Sequence, residues 1–87
     1  MKIIIDPHTL ERAFERGVSE KDIMDTLENG NNITGKKGRL GKTMVFDFNN
    51  VWNGKHYLQK KLEVFYVIEN DVIITVTVYV YYGKWEI

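Results

Sequence analysis

The stretch from Tyr57 to Tyr82 constrains this chain more than any other. Two long apolar runs, Tyr57–Glu69 and Val72–Tyr82, flank Asn70-Asp71. Both are rich in Val, Ile, Thr and Tyr, whose branched or aromatic side chains suit a pleated, partly buried surface. Asn and Asp tolerate the positive φ that a two-residue hairpin turn demands. The stretch therefore reads as an antiparallel hairpin with Asn70-Asp71 at its tip, Glu69 opposite Val72 and Tyr66 opposite Thr75. A hairpin this apolar must be covered on at least one face.

Strict alternation from that register sorts the side chains. One face takes Phe65, Val67, Val72, Ile74, Val76, Val78 and Val80. The other takes Leu62, Val64, Tyr66, Ile68, Ile73, Thr75, Thr77, Tyr79 and Tyr81. The first face is the more apolar and is expected to receive the cover. The second mixes hydroxyls with tyrosines, which suits either a wet or ligand-binding surface or ordinary strand propensity on a partly exposed sheet.

The cover comes from the N-terminal third. Lys2–Ile5 reads as a short β-branched strand. Asp6 can cap a helix and Pro7 is pre-set for its first position, where no N–H is needed. Leu10, Ala13 and Phe14 give that helix its apolar stripe, and Gly17 suits a left-handed stop after about Arg16. Ser19-Glu20-Lys21-Asp22 approximates a capping box for a second helix, with Val18 able to staple onto Ile23. Ile23, Met24 and Leu27 form its stripe and Gly30 follows its end. The two-residue link makes the pair a helical hairpin. Further on, Ile33-Thr34 can begin a strand, Gly35–Arg39 is a basic turn, Thr43–Phe48 alternates as a strand, and Asn49–Lys55 reads as a turn or loop. Trp85 is expected to cover part of the core. The fold class is α+β: a short N-terminal strand, a two-helix hairpin, then a three- to four-stranded antiparallel sheet in one domain spanning residues 1–87.

Composition narrows the chemistry. With 87 residues and no cysteine, disulfides, thiolate-bound zinc, iron–sulfur clusters and thiol catalysis are excluded. A secreted domain of this size usually carries staples, so a cytoplasmic location is expected. The opening apolar run is too short for a signal peptide and no run approaches a membrane span. His8 and His56 are far apart, so no metal and no other cofactor is expected. Net charge is zero but uneven. Four basic and seven acidic side chains give residues 1–34 a net −3, and seven basic and one acidic give residues 35–61 a net +6. That central block suits a polyanion, or else a solvated hairpin with lysines at its edges.

One constellation stands out on the first helix. His8, Arg12 and Arg16 fall at i, i+4 and i+8 and form one stripe. Arginine offers a bidentate fork to phosphate, and histidine can exchange a proton near neutral pH. Cleavage of RNA through its own 2′-OH needs only a base, an acid and a cation at the phosphate, because the substrate supplies the nucleophile. The candidate catalytic residues are accordingly His8, Arg12, Arg16 and Tyr79, with His8 or Tyr79 moving protons. The candidate RNA-binding residues are Arg39, Lys60, Lys61, Tyr66 and Tyr81.

His8, Arg12, Arg16-Gly17-Val18-Ser19 and Asp22-Ile23, followed by Leu27-Glu28-Asn29, resemble the opening of a small bacterial domain family of unknown function. Gly38-Arg39 and the terminal hairpin through Val72–Tyr79 are similar to it as well. The order strand, helix, helix, then strands further resembles the RelE/ParE-like toxins of toxin–antitoxin systems, which are small ribonucleases or gyrase poisons. That resemblance implies a toxin-type or toxin-derived protein acting on RNA, with a metal-independent endoribonuclease activity and an antitoxin segment covering the sheet. The alternative is a non-catalytic protein- or nucleic-acid-binding module, including one that forms a homodimer through an edge strand.

Overall fold

A computed structural model describes residues 1–85. The elements run β1 (Lys2–Ile4), α1 (Pro7–Glu15), α2 (Glu20–Asn29), β2 (Asn31–Thr34), a short 3-10 turn (Lys36–Gly38), β3 (Leu40–Trp52), β4 (Lys55–Glu69) and β5 (Val72–Gly83). All strands join one sheet in the order β1-β5-β4-β3-β2. β2 to β5 are antiparallel neighbours, while β1 lies parallel to β5 through Lys2–Ile4 and Val72–Ile74. The expected α+β layout is therefore present, with four antiparallel strands after the helices.

The helix ends follow their local chemistry. The Asp6 carboxylate accepts from the Thr9 backbone N–H at 3.1 Å, and Pro7 opens α1. Ser19 and Asp22 form a reciprocal capping box at α2, with bonds of 3.1 and 3.2 Å. Each satisfies N–H groups that a helix start leaves without a partner. Both helices lie on one face of the sheet, α1 against β5 and α2 against β3 and β4. They bury Ala13, Val18, Ile23 and Leu27 against Leu62, Val64, Tyr66 and Val78. Among the described residues, no helix is long and apolar enough to cross a membrane.

The register Glu69–Val72 and Tyr66–Thr75 is as the sequence indicates, but it does not continue unbroken. Tyr66 pairs with Thr75 and Phe65 with Thr77, so Val76 is an extra residue in β5. Such a bulge shifts every later side chain to the opposite face. The expected division is corrected: of the face expected to receive the helices, Val78 and Val80 do so, while Phe65, Val67, Val72 and Ile74 face outward. The helix side carries Leu62, Val64, Tyr66, Ile73 and Thr75, and beyond the bulge Val78 and Val80. The outer face carries Phe65, Val67, Val72 and Ile74, and beyond the bulge Thr77, Tyr79 and Tyr81. Sequence alternation could not show this, because Val and Thr occur on both sides of the break. The span read as a loop at Asn49–Lys55 is also corrected. β3 and β4 continue through it to an Asn53-Gly54 tip, with an irregularity between Asp47 and Asn50. Asn53 and Gly54 both have positive φ, as do Asn70 and Asp71 at the other tip. That is the backbone a tight hairpin turn requires.

Lys60 ties the helices to the sheet. Its parity with Leu62 and Val64 points it inward, where its ammonium reaches the Asp22 carboxylate at 2.7 Å and the Gly17 carbonyl at 3.2 Å. It also lies 5.9 Å from the Phe46 ring centroid and 5.8 Å from that of Phe48. Burial works against ionisation of Asp22, but Lys60 and the Ser19 cap outweigh it and hold the carboxyl below its usual range. A carboxyl whose folded value is depressed contributes stability that is present above its unfolded value and lost as pH falls through the folded one. Lys60→Met is therefore expected to lower stability by about 1–3 kcal/mol at neutral pH. In urea melts across pH, its deficit against the parent should narrow below roughly pH 4. A deficit that stays constant from pH 7 to the acid limit would contradict the pairing.

Candidate functional site

α1 lies along the outer edge of β5. Among the described residues, no strand lies beside that edge past Ile74, since β1 pairs with Val72–Ile74. The Thr9 hydroxyl donates to the Val76 carbonyl at 3.3 Å and Arg16 Nη1 donates to the Val78 carbonyl at 2.8 Å. The Asp6 backbone N–H donates to the Thr75 hydroxyl at 3.0 Å. Side chains of one helix thus satisfy a strand edge that would otherwise present free carbonyls.

The end of α1 is locked by aromatic rings. The Tyr82 hydroxyl donates to the Arg16 carbonyl at 2.6 Å, and Trp52 stacks on Tyr82 with centroids 5.0 Å apart. Gly17 sits beneath both rings with φ 81°, and a Cβ there would lie 2.6 Å from the Tyr82 hydroxyl and 2.8 Å from Trp52. Burial, then the nearby Asp22 carboxylate, push the Tyr82 phenol up, which keeps its O–H available to the Arg16 carbonyl. So Arg16-Gly17 is held from three sides.

His8 and Arg12 are different. Both are exposed. They line a recess of about 120 Å³ together with Asp6, Thr9, Arg16 and Val76–Val78. Among the described residues the ion pairs are Lys21–Asp25 and Lys60–Asp22, so neither Arg12 nor Arg16 is matched to an acid there. The stripe read from sequence therefore divides into a structural Arg16 and an unengaged His8 and Arg12.

The outer sheet face holds a second, larger concavity of about 690 Å³. Lys36, Lys37 and Arg39 border it from the 3-10 turn, and Tyr79 and Tyr81 form its far wall. The turn folds over Phe65, which packs edge-on against Tyr79 with centroids 6.0 Å apart. The turn comes this close because Gly35 has no side chain, since a Cβ would lie 2.6 Å from the Phe65 ring. Lys61 lies beside this face, 5.5 Å from the Tyr81 centroid and 5.2 Å from that of Trp85. Trp85, expected from sequence to cover part of the core, is thus placed over the outer face beside Lys61. Tyr79 and Tyr81 are 46% and 45% exposed. Partial burial, then the Glu63 carboxylate, push the Tyr81 phenol up, so it is a neutral O–H donor rather than a base.

The sequence-predicted residues are therefore sorted by the sheet. Arg39, Tyr79 and Tyr81 come together, with Lys61 adjacent. His8, Arg12 and Arg16 line the edge recess, and the two concavities share Thr77. Lys60 and Tyr66 do not reach the outer face. Tyr66 is 7% exposed and Lys60 9%, both on the helix side, so they are corrected from RNA-binding candidates to packing residues. Lys36, Lys37 and Thr77 belong to the candidate surface without having been singled out. The basic Gly35–Arg39 turn was a visible signal for the lysines, whereas Thr77 depends on the bulge.

The comparisons with known proteins give a family and no more. The chain matches the family described as Domain of unknown function (DUF4258) over residues 5–80. It belongs to that family. No curated protein and no solved structure matches it. The DUF4258 match takes in α1, α2 and most of the sheet, including the His8–Arg16 stripe and Tyr79. Within this DUF4258 chain, Gly17→Ala is expected to cost at least about 1 kcal/mol through positive φ and ring contact. Arg16→Ala should cost about 1–3 kcal/mol by freeing a carbonyl at the sheet edge. His8→Ala and Arg12→Ala should stay within about 0.5 kcal/mol. Urea melts of the four variants check this, and equal losses at Arg12 and Arg16 would contradict the division.

Proposed function

We propose that this domain binds single-stranded RNA across its outer sheet face, as a RelE-like, toxin-type or toxin-derived protein. One observation carries the reading: the concavity that sets Lys36, Lys37 and Arg39 opposite exposed Tyr79 and Tyr81. Unpaired bases stack on aromatic side chains whatever their sequence, and a bordering cationic stretch tracks the phosphates. The three cations of the turn outnumber Glu63, the acid in the lining. The order of strand, helices and sheet supports the RelE-like part of the reading only at the level of fold.

A second reading, binding without turnover, draws on a specific observation. His8 and Tyr79, the proton-transfer candidates, line separate concavities that meet only at Thr77. A general acid and base must both come within hydrogen-bond reach of the reacting atoms. The ribonuclease form therefore requires substrate to span both concavities.

A fluorescence titration with a short single-stranded oligoribonucleotide tests the binding claim. Tyr79→Ala and Tyr81→Ala are each expected to weaken binding by roughly 5- to 100-fold, the range of about 1–3 kcal/mol per stacked base. Three phosphate contacts predict a slope near about −2 for log K against log salt. Salt-independent binding, or none, would remove the RNA claim. Induced expression with RNA integrity as readout separates the two forms. Intact RNA and unchanged growth alongside tight binding would leave the non-catalytic module.

A further inference from the structure

The recess at the β5 edge has the makings of a site in its own right. Arg16 is held by its bond to the Val78 carbonyl at 2.8 Å. A guanidinium carries five N–H donors in a rigid fork, so a single bond leaves the rest of that fork pre-oriented. Arg12 and His8 follow one and two turns back on the same stripe, exposed and unengaged among the described residues. Asp6 is the one acid in the lining. Its Oδ2 is already taken by the Thr9 backbone N–H at 3.1 Å and the Thr9 hydroxyl at 3.4 Å. Two arginines against that one carboxylate leave the recess net cationic.

The recess is the smaller of the two concavities, about 120 Å³ against about 690 Å³ on the outer face, and its size suits a partly hydrated tetrahedral oxyanion. We propose that the recess is a phosphate site, in which Arg12 and Arg16 hold two oxygens and His8 donates to a third. Paired arginine forks suit phosphate geometry, and their bonds to it are charge-assisted. Because Thr77 lines both concavities, a strand lying on Tyr79 can pass one backbone phosphate over the β5 edge into the recess. That last step rests on the RNA reading; the phosphate site itself does not.

The test uses the full chain and inorganic phosphate as the probe. In NMR titrations, the Arg12 and Arg16 side-chain N–H signals, the His8 ring and the Thr77 amide should shift together and saturate. Arg12→Gln, on an exposed helix position, should weaken the response about tenfold, the loss of one charge-assisted contact. His8→Gln serves as a second variant and should weaken it less. Absent or non-saturating shifts, shifts centred elsewhere, or an unchanged response in Arg12→Gln would overturn the site. A second arm adds an oligoribonucleotide lacking terminal phosphates. If it displaces phosphate from the recess, the natural occupant is a phosphodiester; if both bind together, the site is one for free phosphate. Failure of the oligonucleotide to bind while phosphate does would sink the RNA reading and leave the recess. The converse would do the opposite.

Discussion

The extra residue at Val76 decides which side chains this protein shows to solvent. Before it, Ile73 and Thr75 point toward the helices; after it, Val78 and Val80 do. Without the break, Thr77, Tyr79 and Tyr81 would turn inward in place of Val78 and Val80. Bulges are local distortions that re-aim side chains at sheet edges. The Val76 carbonyl at the break accepts from the Thr9 hydroxyl of α1 at 3.3 Å. The break thus sets the outer face, and one of the bonds that seat the first helix falls on it.

That seat explains the opening motif in physical terms. Thr9 and Arg16 satisfy carbonyls along the free edge of β5, and Gly17 lets Tyr82 and Trp52 close over the helix end. These contacts would hold a helix against a strand whatever the protein does. His8 and Arg12 share the stripe but none of this work. On a pinned helix an unmatched cation has only its own side-chain rotamers left to order on binding. Lys60 shows the opposite case. It looked like part of a basic surface, yet its inward parity commits it to Asp22 and the Gly17 carbonyl.

Local chemistry made much of the fold legible in the sequence. Asp6-Pro7, Ser19 with Asp22, Gly17 and Asn70-Asp71 each carry a backbone requirement within a few residues, and each does what that requirement implies. The hairpin register near its tip was equally readable, since turn geometry fixes it. What could not be read was long-range. The Val76 bulge leaves no mark in a run of Val, Ile, Thr and Tyr, so Val78 and Val80 counted toward the face of Phe65 and Ile74. That made the wrong face of β4 and of the first part of β5 look the more apolar and left Tyr66 and Lys60 on the solvent side. Arg16 also escaped, because its partner is a backbone carbonyl 62 residues away. The candidate site was half visible: its residue types were, but their division into two concavities meeting at Thr77 needed the sheet.

Two aromatic surfaces could meet RNA: the outer sheet face, as proposed, or the cluster around Trp52 and Tyr82. Ultraviolet crosslinking of the full chain to single-stranded RNA, followed by mapping of the attached peptides, decides between them most directly. Binding on the outer face should give adducts at Tyr79, Tyr81 and the Lys36–Arg39 turn, with Trp52 and Tyr57 unmodified. Adducts confined to the β3–β4 tip at Trp52 and Tyr57, or no adducts under conditions where a control RNA-binding domain crosslinks, would contradict it.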